Sequence, residues 1–349
     1  MNAFVISDSY YDMSKSNIDG FADSVDIIQT YKKKNDAASG PDIDVTKDTF
    51  TVYLSGLDNM GSPDQQTRSD TNLILIVNPK ANHIDMLSLP RDGYIPNAAY
   101  DYKNDKLTHT GNDGIENSVE TIQNFFGIPI DYYARVSFNS LIEIVDTIGG
   151  IDVDVEIDFC EQDENRSFKK EDLICLKKGK QHLNGKQALA YSRHRKTKGY
   201  DNAGRERAQQ RIIKAIINKL ISANGLTKVN DLMDIAPNYI ITNMPAEKIA
   251  DFVSGELNEL KPWTISSITS DNGVSEDLYV ASLDPSLGVS NVYLFSRDEV
   301  HAVVNAYDAA RRQLQMNSFT FNLNDLYANT PKINTSENIR YADMAENQQ

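Results

Sequence analysis

Apolar residues along this chain switch between two spacings, and the switches predict an order of elements. In FTVYLSGLD the positions Phe50, Val52 and Leu54 recur every second residue, as on one face of a strand, and Gly56 ends the run. SDTNLILIVNP carries an unbroken apolar run over residues 73–77, bounded by Asn-Pro. HIDMLSLPRD sets Ile84 and Met86 on one face and Leu87 and Leu89 on the other. Both predict buried strands. The spacing then lengthens. In GIENSVETIQNFFG, Ile115, Val119, Ile122 and Phe126 lie four, three and four apart, which predicts a helix stopped by Gly127. FNSLIEIVDTIGG repeats this with Leu141, Ile144, Val145 and Ile148, and again ends in glycine. IDVDVEIDF returns to strict alternation, a strand with one wet face. A long helix follows, with a stripe of Ile212, Ile213, Ile216, Ile217 and Leu220. Strands, helix, helix, strand and long helix in that order predict a mixed α/β domain. Beyond Asn230 the pattern weakens to helices over residues 245–260 and 297–316 and a strand-like WTISSIT.

The flanks are different. Residues 1–48 are polar, with the basic knot YKKK and the loop signal NDAASGPD, and read as an extension leading into the domain; residues 331–349 form a polar tail without periodicity. Of the 349 residues, 40% are hydrophobic and 24% charged, an ordinary globular composition. There is no internal repeat or low-complexity tract. No apolar run approaches the roughly 18 residues of a membrane span, and the start lacks the basic-then-apolar layout of a signal peptide. Taken alone, this points to the cytoplasm. Cys160 and Cys175 flank the polar stretch EQDENRSFKKEDLI; they are either a loop-closing disulfide, which an oxidising compartment permits, or two unpaired thiols.

Charge changes the picture. The formal net charge is -15, yet YSRHRKTKGYDNAGRERAQQR, residues 191–211, holds seven Lys or Arg against two acids, a net +5 that leaves -20 elsewhere. Phosphate backbones reward broad basic surfaces, so nucleic acid is excluded and a small focused anion site is expected. Arg193 and Arg195 are two apart and share a face if LAYSRHRK runs extended. Arg205 and Gln209 fall on the face of the isoleucine stripe, where a purely structural helix would carry Leu or Ile. Buried polar groups need partners. An oxyanion near the N-terminal end of the helix supplies one, and arginine's planar fork suits phosphate. A solvated basic helix with internal salt bridges, such as Glu206 with an arginine, is the alternative.

Asp58 closes the first strand and Asp70 opens the second, around the loop NMGSPDQQTR. Carboxylates at adjoining strand ends share a divalent cation, and hard oxygen ligands beside phosphate favour Mg²⁺. Turn formation is the other reason for Asp at such positions. Arg68, Arg91 and Asp92 sit beside these strand ends, and Lys106 and His109 follow in DKLTHT. No Ser, His, Asp series, paired-cysteine metal motif, Walker loop or GxGxxG loop is present.

Read together, LSGLD, RSDTNLILIV, LSLPRDGYIP, DKLTH, IDYYARVSFNSLIEIVDTIGGIDVDV, GKQHLNGKQALAYSRHRK and DNAGRERAQQ resemble the LytR-CpsA-Psr family of cell-wall glycopolymer ligases, in the family's order over about half of the chain. The resemblance implies a central mixed β-sheet flanked by helices, with an apolar lipid channel. It makes residues 49–225 the catalytic domain and residues 226–330 a C-terminal region that completes or flanks it. It implies a Mg²⁺-dependent phosphotransferase that moves an anionic glycopolymer, such as teichoic acid or capsule, from a polyprenyl pyrophosphate carrier to peptidoglycan. The expected location is the extracytoplasmic face of a bacterial, Gram-positive cell membrane, held by a transmembrane helix absent from this chain. Carried over by motif, Asp58 and Asp70 hold the metal; Arg68, Lys106, Arg205 and Gln209 bind the pyrophosphate; and Arg91, Asp92, Arg193 and Arg195 are catalytic, with Asp92 either the general base or the group that orients Arg91. Hydrolysis of the same anhydride and non-catalytic lipid binding are the alternative readings. Two departures stand out. Thr108 and Thr110 replace the commoner Asn and Ala, which weakens the case for His109, and Ala208 stands where Arg is frequent, a loss that Arg207 or Arg211 is placed to make good.

Overall fold

The computed structural model describes residues 43–311 other than 168, 199, 201, 223–227, 260, 261, 271, 272 and 285–287. Its strands are β1 (Phe50–Leu57), β2 (Ser69–Asn78), β3 (His83–Leu89), β4 (Tyr94–Asn97), β5 (Lys103–Lys106), β6 (Tyr132–Val136), β7 (Ile151–Val155), β8 (Phe159–Glu161), β9 (Ile174–Leu176), β10 (Gly179–Leu183), β11 (Ile241–Thr242), β12 (Thr264–Thr269), β13 (Val274–Leu278) and β14 (Ser290–Leu294). Its helices are α1 (Leu107–Thr110), α2 (Ile115–Phe126), α3 (Phe138–Thr147), α4 (Gly185–Arg193), α5 (Asn202–Leu220), α6 (Val229–Tyr239), α7 (Ala246–Glu259) and α8 (Arg297–Arg311). Six strands form a central mixed sheet in the order β11-β6-β1-β2-β3-β12. The β1/β2, β2/β3 and β6/β11 pairs are antiparallel, and β1/β6 and β3/β12 are parallel. Segments after residue 226 therefore supply both edge strands.

The spacing of apolar residues decides which face each strand shows. On one face Tyr53, Ile74, Ile76, Leu87 and Leu89 pack against α2 and α8 through Ile122, Phe126, Val300 and Val304. On the other, Phe50, Leu73, Leu75, Ile84 and Met86 meet Trp263 and Ile265, with Val52, Leu54, Ile213, Ile217 and Phe252 packed against them and only partly buried. The split of Ile84 and Met86 from Leu87 and Leu89 is as the sequence predicts, because a strand turns successive side chains to opposite faces. A third cluster joins Val145, Ile151, Val153, Leu183, Tyr191 and Ile212, tying α3, β7, β10, α4 and α5 together. The β7 wet face is real: Asp152 and Asp154 are exposed between buried neighbours. Gly127 ends α2 in the left-handed region at φ 66°, and its N–H closes on the Gln123 carbonyl at 2.9 Å. LAYSR is helical rather than extended, because it completes α4, whose N-terminus is fixed by an Asn184–Gln187 capping box. The described part of the last predicted helix ends at Arg311, and the rest of the 297–316 segment lies outside the described residues.

Candidate functional site

The acid side of the site follows from strand register. Gly56 is paired with Thr71 and Leu57 with Ser69, so Asp70 is the extra residue of a register shift at the end of the strand pair where Asp58 leaves β1. Asn72 is paired with Leu89, and continuing that antiparallel register two residues sets Arg91 opposite Asp70. The Arg91 guanidinium donates to the Asp70 carboxylate, and the Thr108 hydroxyl adds a long contact at 3.4 Å. Asp92 receives the Lys106 ammonium at 2.9 Å and lies 3.9 Å from Arg91 Nε. Asp92 thus orients two cations. Burial pushes the Asp70 carboxyl up; Arg91 and Arg205 act against that shift, while the negative charge of Asp58 adds to it. These couplings place Asp58, Asp70, Arg91 and Arg205 in one electrostatic group.

The basic side comes from α4 and α5. Arg205 lies near the start of α5, and its Nε is buried without a hydrogen-bond partner. Burial, then Arg91, then Arg195 disfavour its charge, and only afterwards does Asp70 favour it. One turn on, Gln209 Nε2 reaches the Ser192 carbonyl at 3.4 Å. Arg193 is the last residue of α4, with its guanidinium carbon 5.3 Å from the centre of the Phe138 ring and Nη1 donating to the Asp163 carbonyl at 3.1 Å. Burial and the neighbouring Arg166 disfavour the Arg193 charge, and Asp58 favours it. A buried donor without a partner, with two cations beside it, is a place where an anion would be stabilised.

The remaining candidates differ in exposure. Arg68, two residues before Asp70, and Arg195, which acts on Arg205, are exposed, and neither makes a side-chain hydrogen bond or ion pair among the described residues. His109 is buried: Nδ1 lies 2.7 Å from Asp105 Oδ1 and 2.9 Å from Ser282 Oγ, so it braces the β5–α1 corner. Arg207 and Arg211 do not make good the missing arginine at Ala208. Both turn to Glu156, at 3.2 and 2.8 Å, and Arg211 also reaches the Tyr191 hydroxyl at 3.3 Å. Cys160 and Cys175, opposite each other on β8 and β9, form a disulfide.

Two features escape sequence reasoning. Arg166, in the loop closed by that disulfide, pairs with Asp58 across 108 positions. His194, between the two predicted arginines, is buried against Phe159 and Tyr200, with Nδ1 3.1 Å from Glu161 and Nε2 2.8 Å from Thr197 Oγ1. That packing holds the Arg193–Arg195 segment in place. Neither feature carries a periodic signal. Among the described residues no group of three or more His, Cys, Asp or Glu gathers as a metal cluster, and no helix is long and apolar enough to cross a membrane.

Known proteins are similar to this chain in sequence and fold. The chain is 31% identical over 271 residues to the Bacillus subtilis polyisoprenyl-teichoic acid–peptidoglycan teichoic acid transferase TagV, covering 73% of this chain and 62% of that protein. It is 34% identical over 209 residues to the B. subtilis transferase TagU, covering 60% and 64%. It thus spans somewhat less than two thirds of these relatives' length. The crystal structure of B. subtilis TagV matches with a TM-score of 0.61 at 28% identity, covering 76% of this chain and 97% of that one. The LytR_cpsA_psr family matches residues 14–286, which include all six strands of the central sheet and every residue of the site above, so this chain belongs to the LytR-CpsA-Psr family.

Proposed function

We propose that this protein transfers an anionic glycopolymer from a polyprenyl pyrophosphate carrier to peptidoglycan. The observation that carries this reading is the Nε of Arg205: a buried donor without a partner, beside Arg91 and Arg195 in a strongly acidic chain. Cations gathered against their mutual repulsion cost stability unless an anion joins them. An apolar path leads away from that point. Ile213 and Ile217 follow on the same helix, and twelve residues at 1.5 Å each carry the axis about 18 Å from Arg205 to Ile217. With Val52, Leu54 and Phe252 they remain only partly buried against the sheet. A molecule with a pyrophosphate head and an apolar tail fits that polarity.

The chemistry follows from the residues. An acceptor sugar hydroxyl attacks the sugar-side phosphorus, the bond from that phosphorus to the bridging oxygen breaks, and polyprenyl phosphate leaves with the electron pair and takes up the proton that the hydroxyl releases. Arg91, Arg193 and Arg205 stabilise charge that grows on the bridging and non-bridging oxygens. Lys106, fixed by Asp92, adds a point charge at the rim, which supports an orienting role for Asp92 over that of base. Asp58 and Asp70 supply two hard carboxylates at one end of the sheet, a donor set that fits Mg²⁺ completed by phosphate and water, and the ion would neutralise the anhydride further. The disulfide suits an oxidising, extracytoplasmic site.

The test incubates the protein with a polyprenyl pyrophosphate-linked glycan, with and without Mg²⁺ and peptidoglycan, and measures polyprenyl phosphate. Metal-dependent release that needs the acceptor and disappears in Arg193→Ala is expected. Release independent of acceptor would make the protein a hydrolase, and lipid binding without release would make it a carrier.

A further inference from the structure

The polar stretch between Cys160 and Cys175 has no role in the reading above, yet it reaches the site. Its two ends are held by the disulfide and the β8/β9 pairing. Internal bonds set its shape: Gln162 Nε2 donates to the Arg166 carbonyl at 2.9 Å, Arg166 N to the Asp163 carbonyl at 3.0 Å, Ser167 N to Asp163 Oδ1 at 2.8 Å, and Ser167 Oγ to Asp172 at 2.6 Å. Arg166 stands at the turn with φ 58°, a left-handed conformation unusual for a residue with a side chain. Two contacts anchor the loop on the site. The Asp163 carbonyl accepts from Arg193, and the Arg166 guanidinium lies on the Asp58 carboxylate.

The depth of these groups differs. The Arg166 and Asp58 side chains are 55% and 42% exposed, against 27% and 18% for Arg91 and Asp70. Arg166 therefore sits on the solvent side of the acid pair, where the glycan half of a carrier must lie if its lipid half runs inward along α5. Its partner there, an exposed carboxylate, is a weak competitor for a guanidinium. A phosphoryl oxygen is a stronger one, because the fork matches it with two parallel bonds.

We propose that Arg166 is a further ligand for the substrate's anionic head, on its outward, glycan-side phosphoryl group, and that the disulfide-closed loop holds it there. This rests on the pyrophosphate-site reading. Without substrate the guanidinium rests on Asp58; with substrate it exchanges that carboxylate for the phosphoryl oxygen.

Calorimetric titration with inorganic pyrophosphate tests this on the whole chain, comparing the native protein, Arg166→Ala, Arg166→Lys, Cys160→Ser with Cys175→Ser, and Arg205→Ala. Removing one charge-assisted contact is expected to weaken binding about tenfold or more in Arg166→Ala. Arg166→Lys should recover part of this and the cysteine variant should lose a similar amount, while the thermal midpoint of Arg166→Ala stays at the native value. Native affinity in Arg166→Ala, with binding lost in Arg205→Ala, would overturn this proposal and leave the site reading intact. Absence of pyrophosphate binding by the native protein would overturn both.

Discussion

Replacing Arg205 with methionine should make the unliganded protein more stable and its anion binding worse. The Nε of Arg205 is buried with no partner, and Arg91 and Arg195 oppose its charge more than Asp70 supports it. Leaving a buried donor unsatisfied costs about 1–3 kcal/mol, and methionine keeps the unbranched stem while removing the donor. With a urea m-value near 3 kcal/mol/M, that gain moves the midpoint up by about 0.3–1 M at unchanged slope. Binding moves the other way. A hydrogen bond to a charged group contributes about 1.5–3 kcal/mol, so pyrophosphate affinity should fall by about 10- to 150-fold. Urea unfolding followed by circular dichroism, with and without saturating pyrophosphate, reads both effects in one set of curves. The native protein gains stability from the ligand by mass action, and the variant gains much less. A lower midpoint for Arg205→Met without ligand, or an equal ligand-induced shift in both proteins, would refute the view of Arg205 as a strained anion ligand.

Three further outcomes are expected. Reducing Cys160–Cys175, which are 15 positions apart, should cost up to about 3 kcal/mol by releasing loop entropy, a thermal midpoint lower by about 6–12 °C in calorimetry with and without reductant. In Gly185→Ala the new Cβ would lie 2.3 Å from the Ile142 carbonyl oxygen and 2.7 Å from its Cα, so α4 must move off α3; a loss of about 1–3 kcal/mol is expected in urea unfolding, and native stability would refute that packing. Burial, with help from Asp131, Glu116 or Glu120, pushes Tyr132, Tyr133 and Tyr102 up to about 12 each. The folded protein holds protons that the unfolded chain releases near pH 10, so this contribution is complete below pH 10 and is lost as the pH rises through 12, which absorbance titration of tyrosinate against unfolding will show.

The local elements were legible because their cause is local. Alternation at Phe50, Val52 and Leu54, the four-three-four spacing that ends at Gly127, and the wet face of β7 each reflect which side chains must leave water, and a short window of sequence contains all of that information. The motif order carried the family, and the misplaced polarity of Arg205 and Gln209 on an apolar stripe marked a candidate anion site before any contact was visible. What the sequence could not determine depends on pairings between distant segments. That Asp70 meets Arg91 follows from the register of β2 on β3, and LAYSR became helix because α4 packs on α3 and α5, overriding its extended reading. Arg207 and Arg211 meet Glu156, 51 and 55 positions away, and the two cysteines joined because β8 and β9 place them on the same rung. Arg166 reached Asp58 by a loop whose own sequence shows no period. Spacing along a chain reports which side of an element a residue occupies, whereas the identity of its partner is set only when the sheet closes and brings remote ends to one place.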